Sequence, residues 1–391
     1  MLSVLLKTCK PLVRVVLLFC GLLLAACEPG TSPSAGVQGG SGDTVAVALL
    51  VPGGSGVATD DLIASNLENA ARLAIADLGG VKIDLRVYQT GGKPAQAAAM
   101  AVKAVDDGAS IILGPLYALE ANAAGAAVAS RGVNILSFSN NADVAGGNVF
   151  ILGQTFDSTA TRLASYAVQK GMNRIMIMHD DNPAGQLGMA AIQRGVAAAG
   201  GTVVGVGRYE FSQNGIVAAA PQLVAATKAN GANAVFLTAD TAGALPLLSQ
   251  LLNENGLSPA AMRFIGLTRW DIPAANLTLP GVQGGWFALP DPGLLGQFQT
   301  RYQASFGAPP HPLAGLAYDG IAAIGALAKR GGAANLAAAS LTQGAGFVGV
   351  GGIFRLRTDG TNERGLAVAQ IQDGKVAVID AAPRSFGGAG F

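Results

Sequence analysis

The chain has 391 residues, 55 of them Gly, with 13% charged, 50% hydrophobic and a formal net charge of +1. So little charge excludes a disordered polyelectrolyte and a basic nucleic-acid binder, and glycines without a G-X-Y period exclude collagen. The length suits about two domains, ample for a buried core.

Residues 1–26 read as a secretory signal. Lys7, Lys10 and Arg14 form its positive region, and Val15–Leu24 is an uninterrupted apolar run. Such a run is short for a bilayer span, which needs ~20 residues, but it suits the core of a signal peptide. Leu24-Ala25-Ala26-Cys27 then has the form of a bacterial lipobox, with Cys27 as the acylated residue. Cys9 and Cys20 leave with the signal, so no intramolecular disulfide is expected. Removing the three basic residues leaves 22 basic against 24 acidic ones, a net charge of −2. Residues 27–43 are a lipidated Cys followed by a Gly/Ser/Pro tether. No later run is long and apolar enough to span a bilayer, so the expected anchor is lipid alone.

From Thr44 the chain alternates strand and helix. Thr44–Val51 is a continuous β-branched run, the pattern of a strand buried on both faces. Helices are predicted over Asp60–Leu78, Pro94–Asp107 and Ala118–Ser130. Strands are predicted at Val81–Val87, Ser110–Leu113 and Val133–Leu136. A second series follows, with helices at Asp157–Lys170, Ala184–Ala199, Ile216–Asn230 and Ala242–Asn255. Its strands are Arg174–Met178, Thr202–Val206, Ala234–Leu237 and Arg263–Ile265. Two more helices, Leu294–Phe306 and Leu313–Lys329, lead to hairpin-like strands at Ile353–Leu356, Leu366–Gln370 and Val376–Ile379. Repeated βα units of this kind build parallel, doubly wound sheets, whose ligands bind at the carboxyl ends of the strands.

Enzyme signatures fail one by one. The two histidines, His179 and His311, have no partner at metal-ligand spacing, and no metal or cofactor is expected. No G-x-S-x-G elbow is present. Gly53-Gly54-Ser55-Gly56 lacks the Gly-Lys-Ser/Thr of a phosphate loop, and Gly205-Val206-Gly207 lacks the third glycine of a dinucleotide fingerprint. The pairs Asp106-Asp107 and Asp180-Asp181 read as solvated loop acids, because neighbouring side chains diverge. The reading is of a protein that binds rather than catalyses.

A lipobox, a tether and two doubly wound lobes together resemble a type I periplasmic binding protein of the Leu/Ile/Val-receptor family. The resemblance rests on Val45–Val51 with the Pro52–Gly56 loop, Ile111–Leu116 with its Gly114-Pro115 turn, Ile135–Asn141, and His179-Asp180 with Gly185. A narrower resemblance, to penicillin-binding protein activator lipoproteins, rests on Gly114-Pro115-Leu116, Ser137-Phe138-Ser139-Asn140, Gly284–Pro292 and Asp359-Gly360 with Glu363–Val368. The extra helical domain of that branch has no room here.

The resemblance implies an α/β fold of two Rossmann-like lobes with a cleft between them: residues 44–153 with 286–345, and residues 154–285 with 346–391. Connections would cross near Gly153, near Pro280–Trp286 and near Gly344–Gly352. It implies a ligand site at Ser55, Tyr117, Ser139, Asn141, Asp180, Asp240, Thr268, Arg269 and Trp270. The family's ammonium-binding acid falls on Thr268, and its aromatic lid on Asp240.

Several of these residues have a plainer reading. Ser139 and Asn141 are natural caps for the turn after them, and Asp240-Thr241 for a helix from Ala242. Trp270 reads equally as core, and Arg269 equally as solvated. The expected function is a lipid-anchored solute receptor for an ABC-type importer, taking a small polar or amino-acid-like ligand. The alternative is an activator that docks on a peptidoglycan synthase. Glu28 after the acylated Cys suits an outer-membrane lipoprotein.

Overall fold

A computed structural model describes residues 44–386; the expected signal, Cys27 and the tether lie outside the described residues. Strands β1 (Thr44–Val51), β2 (Lys82–Gln89), β3 (Ile111–Leu113), β4 (Asn134–Ser137) and β5 (Val149–Ile151) form a parallel sheet in the order β2-β1-β3-β4-β5. Val45, Val47, Leu49 and Val51 of β1 pack in one core with helix α1 (Ala58–Asp77). Ala48 and Leu50 point the other way, into a core with α2 (Pro94–Asp106) and α3 (Ala118–Val128). A strand with helices on both faces must be apolar at every position, which is why its sequence shows no alternation. Val149–Ile151 escapes the pattern reading because three residues are too few to show a period.

The β3–α3 turn depends on Gly114. Its φ is +88°, and a Cβ there would sit 2.2 Å from the carbonyl oxygen of Leu50. Only glycine accepts both the left-handed backbone and that approach.

The second sheet has seven strands, ordered β15-β14-β10-β9-β8-β6-β7. Its parallel part is β6 (Arg174–Asp180), β7 (Thr202–Tyr209), β8 (Ala234–Leu237), β9 (Arg263–Gly266) and β10 (Trp286–Leu289). The hairpin of β14 (Ala367–Gln372) and β15 (Lys375–Asp380) joins antiparallel. Helices α4 (Phe156–Gln169) and α5 (Pro183–Ala198) cover one face. Helices α6 (Gln213–Ala229) and α7 (Ala244–Glu254) cover the other. Thr155, Asn182 and Ser212 cap α4, α5 and α6, each through a side-chain oxygen that accepts a backbone N–H three residues on.

Two of the expected crossings move. Trp286–Leu289 pairs between β9 and β14, inside the second sheet rather than the first lobe. The chain then crosses at Pro290-Asp291 into α8 (Pro292–Phe306) and α9 (Ala314–Gly331), whose apolar faces pack on the first core. The segment Phe347–Arg364 likewise stays with the first lobe. There β11 (Phe347–Gly349), β12 (Gly352–Leu356) and β13 (Asn362–Arg364) form a small antiparallel sheet, and Phe347, Phe354 and Leu356 join the first core. The Gly351-Gly352 turn is a hairpin turn, and the third crossing is at Gly365-Leu366, ahead of β14. The first crossing follows β5 at Leu152–Gln154, around the expected Gly153.

Candidate functional site

All three crossings border one cavity of about 570 Å³. The first lobe contributes the β4 exit loop Phe138–Asn141 and the start of α3 at Leu116–Ala118. The second lobe contributes Arg269 and Ile272, and the crossings contribute Gly153, Gln154, Pro290 and Leu366. The remaining wall is largely apolar, with Ile63, Leu295, Leu313, Leu316 and Val350.

Of the nine expected site residues, Tyr117, Ser139, Asn141 and Arg269 line this cavity. Ser139 is buried, and its Oγ accepts from the Asn141 amide at 3.1 Å. Asn141 Oδ1 accepts from the Asp143 amide at 2.9 Å. Both side chains therefore cap the turn and face the cavity at once. The Ser139 hydroxyl proton and the Asn141 Nδ2 group have no partner among the described residues. A Cβ on Gly153 would lie 2.4 Å from the Ser139 carbonyl oxygen, so the loop and the first crossing touch backbone to backbone.

Tyr117 donates its hydroxyl to Asp60 Oδ1 at 2.5 Å. That bond to a carboxylate, together with burial, has the phenol pushed up to about 12. Arg269 donates from Nε to Asp271 Oδ1 at 2.9 Å and from Nη2 to Asp271 Oδ2, so its guanidinium is held rather than solvated.

The other five lie elsewhere. Ser55 is in the β1–α1 loop, its Oγ accepting from the Val57 amide. Asp180 is buried at the end of β6, where it accepts from Thr238 Oγ1 at 2.6 Å and Asn182 Nδ2 at 2.5 Å. It is neither a solvated loop acid nor a cavity group. Asp240 is exposed, and the N-cap of α7 is Gly243, with no side-chain cap, so the residue serves in neither expected role. Thr268 donates to the Ala239 carbonyl at 3.3 Å. Trp270 is fully buried between Gly266 and Gly285, a core residue and not a cleft wall. These five fail as cavity residues because a strand-end position fixes neither the direction of a side chain nor its partner.

The sequence reading missed Gln154, Asp319 and Arg364. Arg364 donates from Nη1 to Asp319 Oδ2 at 2.9 Å and from Nε to the Leu152 carbonyl at 3.0 Å. Asp319 Oδ1 accepts from the Val350 amide at 2.7 Å. Burial pushes the Asp319 carboxyl up, while Arg364 and the Val350 amide pull it down. One signal was available: Asp319 is the lone acid in the predicted, largely apolar helix Leu313–Lys329, where an acid must find a partner.

A second cavity, of about 550 Å³, lies among α4, α5 and the β12–β13 turn. Its charges answer one another: Arg194 pairs with Asp157 and Arg357 with Glu363. Among the described residues no group of His, Cys, Asp and Glu is placed to hold a metal ion. No helix there is long and apolar enough to cross a membrane.

A family model described as "Periplasmic binding protein" matches residues 44–375. No curated protein matches the chain. Among solved structures, a branched-chain amino acid ABC transporter periplasmic ligand-binding protein of Burkholderia xenovorans is 21% identical. It covers 88% of this chain and 97% of its own, with a TM-score of 0.68. An ABC transporter substrate-binding protein of Desulfitobacterium hafniense, in complex with Leu, is 20% identical over 86% and 100% of the two chains, with a TM-score of 0.63. A solute-binding protein of an ABC transporter from Rhodopseudomonas palustris, in complex with 3,4-dihydroxybenzoic acid, is 18% identical over 88% and 99%, with a TM-score of 0.58. At these identities the likeness is one of fold.

Proposed function

The chain belongs to the periplasmic binding protein family, whose members bind rather than catalyse, and from that premise we propose that it is a solute receptor for an ABC-type importer. Its two lobes close by hinge motion over a small ligand with an apolar body and a polar end. The observation that carries this reading is the cavity of about 570 Å³ at the three crossings, where apolar walls meet Ser139, Asn141 and Arg269. A largely apolar cavity with a few convergent polar groups is the ordinary form of a small-molecule site. Leu and a dihydroxybenzoate in the structural neighbours fit the same class of ligand.

The anchor we propose is an acyl group on Cys27, with the outer membrane as its home. Replacing Cys27 by Ser would then release the protein from the membrane fraction. The Gly284–Pro292 and Asp359–Val368 segments build β10, β13 and two crossings, and the solved neighbours are solute-binding proteins of ABC transporters rather than activators of a synthase.

The test is thermal unfolding of the full-length protein against amino acids, small carboxylic acids and sugars. A ligand that binds only the native state adds about 2.7 kcal/mol at one hundred times its dissociation constant. A shift that Asn141→Ala abolishes supports the reading. A flat response from folded protein across the whole set overturns it.

A further inference from the structure

The cavity is rich in hydrogen-bond donors and poor in negative charge. Its lining contains one carboxylate, Asp319, and both oxygens are engaged, one by Arg364 and one by the Val350 amide. Two carboxylates outside the lining bond to lining residues: Asp271 pairs with Arg269, and one oxygen of Asp60 accepts the Tyr117 hydroxyl. Thr268 and Asp240 do not line the cavity. An ammonium enclosed here would meet no free carboxylate in the lining, a cost of several kcal/mol.

A carboxylate meets the opposite situation. The Ser139 hydroxyl and the Asn141 Nδ2 group have protons to give. Arg269 spends Nε and one Nη2 proton on Asp271, which leaves the Nη1 protons and the second Nη2 proton, in a plane that the pairing fixes. Resting on the solute-receptor reading, we infer that the ligand is a small monocarboxylic acid with a branched or aromatic hydrocarbon body and no charged amine.

Calorimetric titration of the full-length protein tests this with matched ligands. 4-Methylpentanoate is leucine without its amine, 3-methylbutylamine is leucine without its carboxylate, and benzoate is an aromatic acid. The expected result is that 4-methylpentanoate or benzoate binds at least tenfold tighter than leucine, and that the amine gives no heat. Leucine binding as tightly as both acids, or the amine binding better than either, overturns the inference and leaves the solute-receptor reading standing. Silence from every amino acid, acid and sugar overturns both.

Two variants sharpen the outcome. Arg269→Gln should weaken the acid at least tenfold, and it should also lower the thermal midpoint of the unliganded protein because Asp271 loses its partner; unchanged affinity in the folded variant removes Arg269 from the anion's partners. Gln154→Glu adds a carboxylate to the lining and should move the ratio of leucine to 4-methylpentanoate affinity toward leucine. No movement in that folded variant argues against a missing counter-charge as the basis of selectivity.

Discussion

Arg364 and Asp319 form a buried ion pair at 2.9 Å, with the Arg364 side chain 9% exposed and that of Asp319 2%. One partner is in β13, just before the third crossing, and the other is in α9 of the first lobe. Arg364 also holds the Leu152 carbonyl at the first crossing, so the pair ties two connections to one helix. Removing one partner strands a charge in the interior. Asp319→Ala should therefore cost about 3–5 kcal/mol, and Arg364→Ala a similar amount. A double replacement by Leu and Met of similar volume should cost far less, because no charge is left unpaired. Chemical denaturation of the three variants checks the ordering.

Asn362 serves the same junction without charge. Its Nδ2 group donates to the carbonyls of Ile151 at 2.8 Å and Gly153 at 2.7 Å. Asn362→Ala leaves both carbonyls short of a donor, at about 1–3 kcal/mol. Asn362→Asp should be at least as harmful, since a carboxylate accepts where a donor is required. Denaturation midpoints at neutral pH read this directly.

Glu120 gives stability a pH dependence. It is buried in the first turn of α3, and its Oε1 has no hydrogen-bond partner. Burial raises its pKa above 4.5, and the Asp60 charge adds to that; the Thr90 hydroxyl and the Tyr117 amide act in the other direction. The folded state therefore holds this proton more tightly than the unfolded state. The contribution is full below the unfolded value and is lost as pH rises through the folded one. Glu120→Gln should remove this loss. The variant should gain stability relative to the parent between pH 4 and pH 7, in unfolding titrations across that range.

Trp270 fills the second core against Gly266 and Gly285, and its Nε1 has no hydrogen-bond partner. Trp270→Ala should cost about 3–5 kcal/mol through the cavity it leaves. Trp270→Phe should cost much less, because the smaller ring also removes a buried N–H without a partner. Neither should change ligand affinity in the folded protein, which calorimetry checks. A selective loss of affinity in Trp270→Phe would return this residue to the cleft.

The sequence by itself determined the alternating α/β architecture, the two series of βα units and most element positions. Apolar runs such as Thr44–Val51 and signals such as the Gly114-Pro115 turn act over a few residues, so they are legible without a fold. It also carried the polar loop Ser139–Asn141, because a strand end is where such sheets present ligand groups.

Only the tertiary structure decided which sheet takes Trp286–Leu289. Pairing with β9 and β14 is a choice among distant partners, and it moved the second crossing; the packing of β11–β13 on the first core moved the third. Tertiary structure alone also separated Ser139 and Asn141 from Asp180, Asp240, Thr268 and Trp270, all of them at strand ends or just beyond. What divides them is the direction of a side chain and the group it meets. For Arg364 and Asp319, 45 residues apart in the chain, a lone acid in an apolar helix signals that a partner is needed, and only the fold decides that the partner is Arg364.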